Sequence, residues 1–235
     1  MKKIFVIALV TGFITALATF TALKIAFGDG AGLGDIAAEK PEWNLGNRWV
    51  FNYKNGAGLV GTFKTEILGQ VRQDGRSCWT VGLTLTLELN ALRAEQHQYI
   101  LVENFDIIGL ETISSIGAIG QTNGQLILLE PPMKSYCWPI EIGQDWSGDF
   151  QMVVNDFAHG EMKYKVKVIA RETITVPAGK FETFKIIETF ISGQGNEYKR
   201  EKWYSPQVQN LVKEISYLSN GSLEYVKELQ DYRLR

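Results

Sequence analysis

An all-β fold is predicted for this 235-residue chain. Three features carry the prediction: apolar and polar side chains alternate with a period of two, turn-forming dipeptides recur at short spacing, and helical periodicity is scarce. The alternation is clearest where Trp79, Val81, Leu83, Leu85, Leu87 and Leu89 oppose Cys78, Thr80, Thr84, Thr86 and Glu88. Successive side chains of a strand point to opposite faces, so one of these faces enters a core. Met162, Tyr164, Val166 and Val168 are sorted in the same way from Lys163, Lys165 and Lys167, and those lysines read as a solvated face.

The N-terminus comes first. Lys2 and Lys3 precede Ile4 to Leu23, which carries no charge, and this is the layout of an export segment whose cationic start stays in the cytoplasm. Residues 1–28 read either as a signal peptide, with Ala16-Leu17-Ala18 as a small-x-small cleavage site, or as an uncleaved apolar helix anchoring the chain to the membrane. Both readings export the remainder, to the periplasm or the extracytoplasmic face of the membrane. Residues 29–42 turn to Gly, Ala and acidic side chains and read as a flexible linker. A single antiparallel β domain is expected over 43–235.

Without Lys2, Lys3 and Lys24, the chain's 24 basic residues fall to 21 against 26 acidic ones, a net charge of −5 for the exported part. That balance excludes nucleic acid as a partner class.

Strands are expected at Arg48–Lys54, Val60–Val71, His97–Glu103, Gln125–Glu130, Trp146–Val154, Phe181–Ile191, Asn196–Tyr204, Leu211–Leu218 and Leu223–Tyr232, besides the two above. Asn55-Gly56, Asp74-Gly75, Asn123-Gly124, Pro177-Ala178-Gly179, Gly193-Gln194-Gly195 and Asn220-Gly221 supply turns between them. In TVPAGKFETFKI, residues 175–186, Pro177 presets φ for a type I turn and Gly179 supplies a positive φ, which makes this break a hairpin corner and not a site. LELNALRAEQ, residues 87–96, reads as a short helix or as a strand end and its loop. About ten or more twisted strands in sequence must curl, so a large curved sheet or a partly closed barrel is expected.

Motifs for chemistry are sparse. His97 is in phase with Tyr99 and Leu101 and reads as an ordinary strand residue; His159 neighbours Asp156 and Glu161 in a loop-like segment, without a second cluster to complete a metal site. Ser147 lies within an expected strand and not at a nucleophile elbow, and GAIGQTNG, residues 117–124, lacks the Lys-Ser/Thr of a phosphate loop. No catalytic residue, metal or cofactor is therefore expected. Cys78 and Cys137 are a disulfide candidate, because export permits a bridge and Cys78 falls on the Thr-rich side of its strand; two separate thiols is the other reading. A bridge would close a loop of about 60 residues and stabilise by around 4 kcal/mol.

The stretch from Phe181 to Ile191 is apolar on both faces, and Glu188 interrupts one of them. Such a strand needs two covers: one is the core, and the second is a loop, a short helix, a partner or an apolar ligand lying in the concave side of the sheet.

Three patches, EPPMKSYCWPIEIGQDWSGDF at 130–150, ITVPAGKFETFKI at 174–186 and KWYSPQVQNLVKEI at 202–215, resemble uncharacterised exported bacterial β-proteins. Their general architecture is similar to that of the lipoprotein carriers LolA and LolB. Those carriers hold acyl chains in an unclosed barrel; the resemblance implies a fold, not a shared activity, and brings no active site to transfer. The carriers cover their cavity with helices, and this sequence offers few.

The resulting expectation is a non-catalytic envelope module that binds an apolar ligand or lipid, with Phe184, Ile186, Phe190, Trp203 and Tyr204 as wall residues. The alternative is an interaction or assembly module that docks an envelope protein through exposed strands or an aromatic face. An enzyme such as a hydrolase ranks last, because no polar cluster is legible.

Overall fold

The computed structural model describes residues 37–88, 93–116, 125–154 and 157–235. The export segment, most of the linker, the Gly-rich stretch 117–124 and Asp156 lie outside the described residues. Twelve strands follow one another: β1 (Arg48–Asn55), β2 (Val60–Gln73), β3 (Arg76–Leu87), β4 (Arg93–Leu101), β5 (Ile107–Ile116), β6 (Leu126–Met133), β7 (Asp145–Val154), β8 (Phe157–Val176), β9 (Gly179–Ser192), β10 (Glu197–Ser205), β11 (Asn210–Tyr217) and β12 (Leu223–Arg233). No helix occurs among the described residues, and Arg93–Gln96 of the expected helical stretch belong to β4.

Each strand pairs antiparallel with its chain neighbours, and β12 returns to pair with β1, from Arg48↔Arg233 to Asn55↔Tyr225. The barrel is therefore fully closed. This corrects the expectation of a curved sheet or a partly closed, carrier-like barrel. The per-strand twist accumulates until the ends meet, and closure satisfies the backbone groups that either edge would expose.

Sidedness follows the alternation. Met162, Tyr164, Val166 and Val168 point into the barrel and are buried, whereas Lys163, Lys165 and Lys167 point out and are exposed. Val166 and Val168 are fully buried, and each such side chain contributes about 1.5–3 kcal/mol. A membrane-spanning barrel carries an apolar band outside; here β8 would push three lysines into lipid.

One end of the barrel is capped. Ala38 exchanges backbone hydrogen bonds with Ile140 at 2.9 and 2.8 Å and is buried, so ordered packing begins before Trp43, inside the expected linker. Trp43 stacks edge-on against Phe105 at 4.5 Å, and Phe105 approaches Trp138 at 6.0 Å; Tyr136 and Trp138 in turn lie 5.7 and 5.5 Å from Tyr204. Phe105 adopts φ of 67°, a left-handed value that costs a non-glycine residue about 1–3 kcal/mol, and burial among these rings holds it there.

The β8–β9 hairpin closes the same end. Pro177 and Ala178 form its turn, and Gly179 takes φ of 137°, as a corner requires. Beyond the last pairing with β10, the hairpin reaches β12, where the Ala178 amide donates to the Leu229 carbonyl at 2.9 Å. Val176 and Phe181 pack there in one cluster with Val208 and Leu229.

Candidate functional site

Twelve strands enclose more space than the eight that side chains can fill or nearly fill. Large inward residues occupy most of it, and a cavity of about 250 Å³ remains. Its walls differ in kind. Phe63, Val81, Leu83, Ile100, Ile107, Leu110, Leu129, Phe150, Met152, Met162 and Phe190 form an apolar lining supplied by β2–β9. Glu188, Arg200, Lys202, Glu214, Tyr225 and Lys227 form a charged lining on β9–β12.

Register brings the charged residues together. Arg200 pairs with Glu188 across β9 and β10, and Glu214 pairs with Lys227 across β11 and β12, so all four point inward from adjoining positions. Lys202 Nζ lies 2.6 Å from Glu188 Oε1, Arg200 Nη1 lies 3.8 Å from Glu188 Oε2, and Lys227 Nζ lies 3.2 Å from Glu214 Oε2. The Tyr225 hydroxyl donates to Glu214 Oε1. Two contacts tie this wall to the apolar one: Lys227 sits 4.4 Å above the Phe63 ring, and the Arg200 guanidinium sits 5.0 Å above Phe190.

Electrostatics confirm a coupled network. Burial pushes the Glu214 carboxyl up, but Lys227, Lys202, Arg200 and the Tyr225 hydroxyl together outweigh burial and hold it at about 2. Burial lowers Lys227 below the usual ammonium range despite Glu214 beside it. Tyr225 is pushed well up, first by burial and then by Glu214. Tyr53 is raised to about 12 by burial and by Glu224.

The expected wall residues separate. Phe190 lines the cavity. Phe184 and Ile186 are buried in the same core cluster as Phe190 but are not part of the lining. Tyr204 belongs to the aromatic cap. Trp203 is buried in the other core cluster, with Phe181, Val208 and Val212, on the face of β10 opposite Tyr204; Lys185 and Lys213 lie 4.7 and 5.8 Å from its ring, and its indole donates to Glu172. Cys78 and Cys137 stand as free thiols, Cys78 fully buried in a small cluster with Leu101 and Ile108 and Cys137 half-buried next to the cap. His97 pairs with Gly82 and Glu111 on the outer face of β4, His159 is exposed on β8, and Ser147 pairs with Lys165 within β7.

Arg200, Lys202, Glu214 and Lys227 were not expected at a site. Their signal was parity: Arg200 and Lys202 share a face with Tyr204, and Glu214 shares one with Val212 and Ser216. That signal becomes legible only once neighbouring strands are aligned.

No protein-family model matches the chain, and no curated protein does. Among solved structures, a β-barrel-like protein of a domain of unknown function from Brucella abortus aligns with a TM-score of 0.51 at 8% identity, covering 83% of this chain and 99% of that one. A protein from Bacteroides fragilis, described as exported and of YmcC-like fold, aligns with a TM-score of 0.46 at 14% identity over 84% of this chain and 100% of its own. A Parabacteroides distasonis protein described as a lipoprotein aligns with a TM-score of 0.42 at 14% identity over 81% of this chain and 96% of its own. The Brucella match shows a shared barrel-like fold. The matches do not single out LolA or LolB.

Proposed function

We propose that this chain is an exported, non-catalytic protein of the cell envelope whose barrel holds the apolar part of a small lipid or other amphiphile. The observation that carries this reading is the cavity of about 250 Å³ with an apolar wall facing a charged one. An apolar lining interrupted by a few convergent polar groups is the common form of a ligand pocket. The cationic start and the uncharged run after it support a location in the periplasm or on the extracytoplasmic face of the membrane. Phe190 then serves as a wall residue, with Phe184 and Ile186 packed in the core cluster that supports it. The alternative of docking an envelope partner through a strand edge gains no support from the fold, because every described strand has neighbours on both sides.

The reading is tested by extracting the full chain, purified from the envelope fraction, with organic solvent. A defined lipid or amphiphile should be recovered in stoichiometric yield, and Met152→Trp, which fills the cavity from β7, should abolish it. Recovery of nothing from the wild-type protein refutes the proposal.

A further inference from the structure

Two residues of the cavity lining carry a buried polar atom without a hydrogen-bond partner among the described residues: Glu188 at Oε2 and Ser135 at Oγ. The Glu188 side chain is 1% exposed; Lys202 Nζ serves its other oxygen at 2.6 Å, and Arg200 Nη1 stands 3.8 Å from Oε2, beyond hydrogen-bond reach. A carboxylate only accepts, so Oε2 calls for a donor, whereas the Ser135 hydroxyl can donate or accept. Leaving such atoms unserved in a water-poor interior is costly. Charge, by contrast, is already matched. Glu188 faces Lys202 and Arg200, Glu214 faces Lys227, Lys202 and Arg200, and Glu224, which accepts the Ser216 hydroxyl at 2.6 Å, acts on Arg200 and Lys227 as well. Three carboxylates thus answer three cations in this network. A ligand bringing one more charge would shed its water without gaining a counter-charge.

We propose that the cavity selects an uncharged amphiphile whose head group carries a hydroxyl, which donates to Glu188 Oε2 and is joined by the Ser135 hydroxyl while the alkyl part lies along the apolar wall. This inference rests on the reading of the barrel as an amphiphile binder and adds the chemistry of the head group. A hydrogen bond to a charged acceptor in a desolvated site is among the stronger ones, and an analogue without the O–H leaves that acceptor unpaired. Selectivity therefore comes from the penalty on the wrong head group as much as from the contact with the right one.

The test uses the full chain, purified from the envelope fraction and delipidated in lauryldimethylamine oxide, a detergent without hydroxyls. Equilibrium dialysis measures binding of radiolabelled octan-1-ol against a protein-free detergent blank, with heptyl methyl ether, octanoate and octylammonium as competitors. The ether is an isomer of the alcohol that lacks the O–H donor. Octan-1-ol should bind saturably, and each competitor should be at least about ten-fold weaker than unlabelled octan-1-ol. Glu188→Gln, with its carbonyl kept on Lys202, puts an N–H donor where Oε2 stood, so the ether should draw level with the alcohol. Ser135→Ala should weaken the alcohol by about five-fold, and an unchanged affinity overturns the part given to Ser135. Equal competition by alcohol and ether on the wild-type protein, the result expected if water serves Oε2, overturns the hydroxyl inference and leaves the amphiphile reading standing. Stronger competition by octanoate or octylammonium than by the alcohol overturns the uncharged head group. No saturable binding of octan-1-ol overturns the inference as a whole, whereas the amphiphile reading falls only if solvent extraction also recovers nothing. The wild-type comparison decides the matter even where Glu188→Gln fails to fold.

Discussion

Replacing Glu214 by Gln tests whether the interior ion network stabilises the barrel. Glu214 is buried with its carboxylate 3.2 Å from Lys227 Nζ and accepts the Tyr225 hydroxyl. Removing its charge leaves Lys227 buried without its partner, a change that costs about 3–5 kcal/mol in comparable settings. The carboxyl gives a second route to the magnitude. Its fall from an ordinary 4.5 to about 2 corresponds to about 3 kcal/mol. Because the folded value is depressed, this stability is present above about pH 4.5 and is lost as pH falls toward 2. Urea unfolding of wild type and Glu214→Gln between pH 7 and pH 2 should show a gap of about 3 kcal/mol at neutrality that closes at the acid end, where the native carboxyl is itself protonated. For a domain of this size the same gap corresponds to a fall of about 6–12 °C in Tm. Equal stability at neutral pH, or a gap that persists unchanged to the acid limit, refutes the reasoning.

Three further outcomes are expected. Burial raises Asp106 to about 6 against the pull of Lys134, so wild type loses stability as pH rises through that value; Asp106→Asn should be more stable at pH 7 by about 1–2 kcal/mol and equal to wild type near pH 4, as read from denaturant midpoints. Trp138→Ala should open the aromatic cap and cost about 3–5 kcal/mol, with faster quenching of the remaining tryptophans by acrylamide; unchanged quenching contradicts the cap. At Gly148 an added Cβ would stand 2.9 Å from the Tyr164 ring and 2.7 Å from its hydroxyl, which accepts from the Lys134 amide at 3.1 Å. Gly148→Val should therefore destabilise by about 2 kcal/mol or more, and by much less in a Tyr164→Leu background, as a double-mutant cycle will show.

The strands that alternate cleanly were legible from the sequence, because inward Val166 and outward Lys167 differ in a way that only a two-residue period explains. β5 was not expected. Its sequence IIGLETISSI carries Gly109 and breaks phase at Ile108, and register shifts with both neighbours absorb that break. Closure was not legible either, since it depends on β1 meeting β12 across the whole length of the chain. Trp203 and Tyr204 are consecutive and stay in step with Lys185 and Phe184 of β9, so they take opposite faces of β10, and the extra residue of the bulge beside them is Val212 of β11. The charged wall was half visible. Glu188 stood out against an apolar face, but its partners Arg200 and Lys202 look like solvent-facing residues until β10 is set beside β9.

The seam between β1 and β12 also orders events in time. A chain threaded through the envelope from its N-terminus delivers β1 first among the twelve described strands and β12, which covers the outer edge of β1, after the other eleven. Until Leu223–Arg233 arrives, that edge is bare and adhesive, and the interior cations lack the wall that seals them from water. Assembly is thus gated by the arrival of β12, and a nascent chain halted before it presents a sticky, unsealed ribbon to whatever the compartment holds.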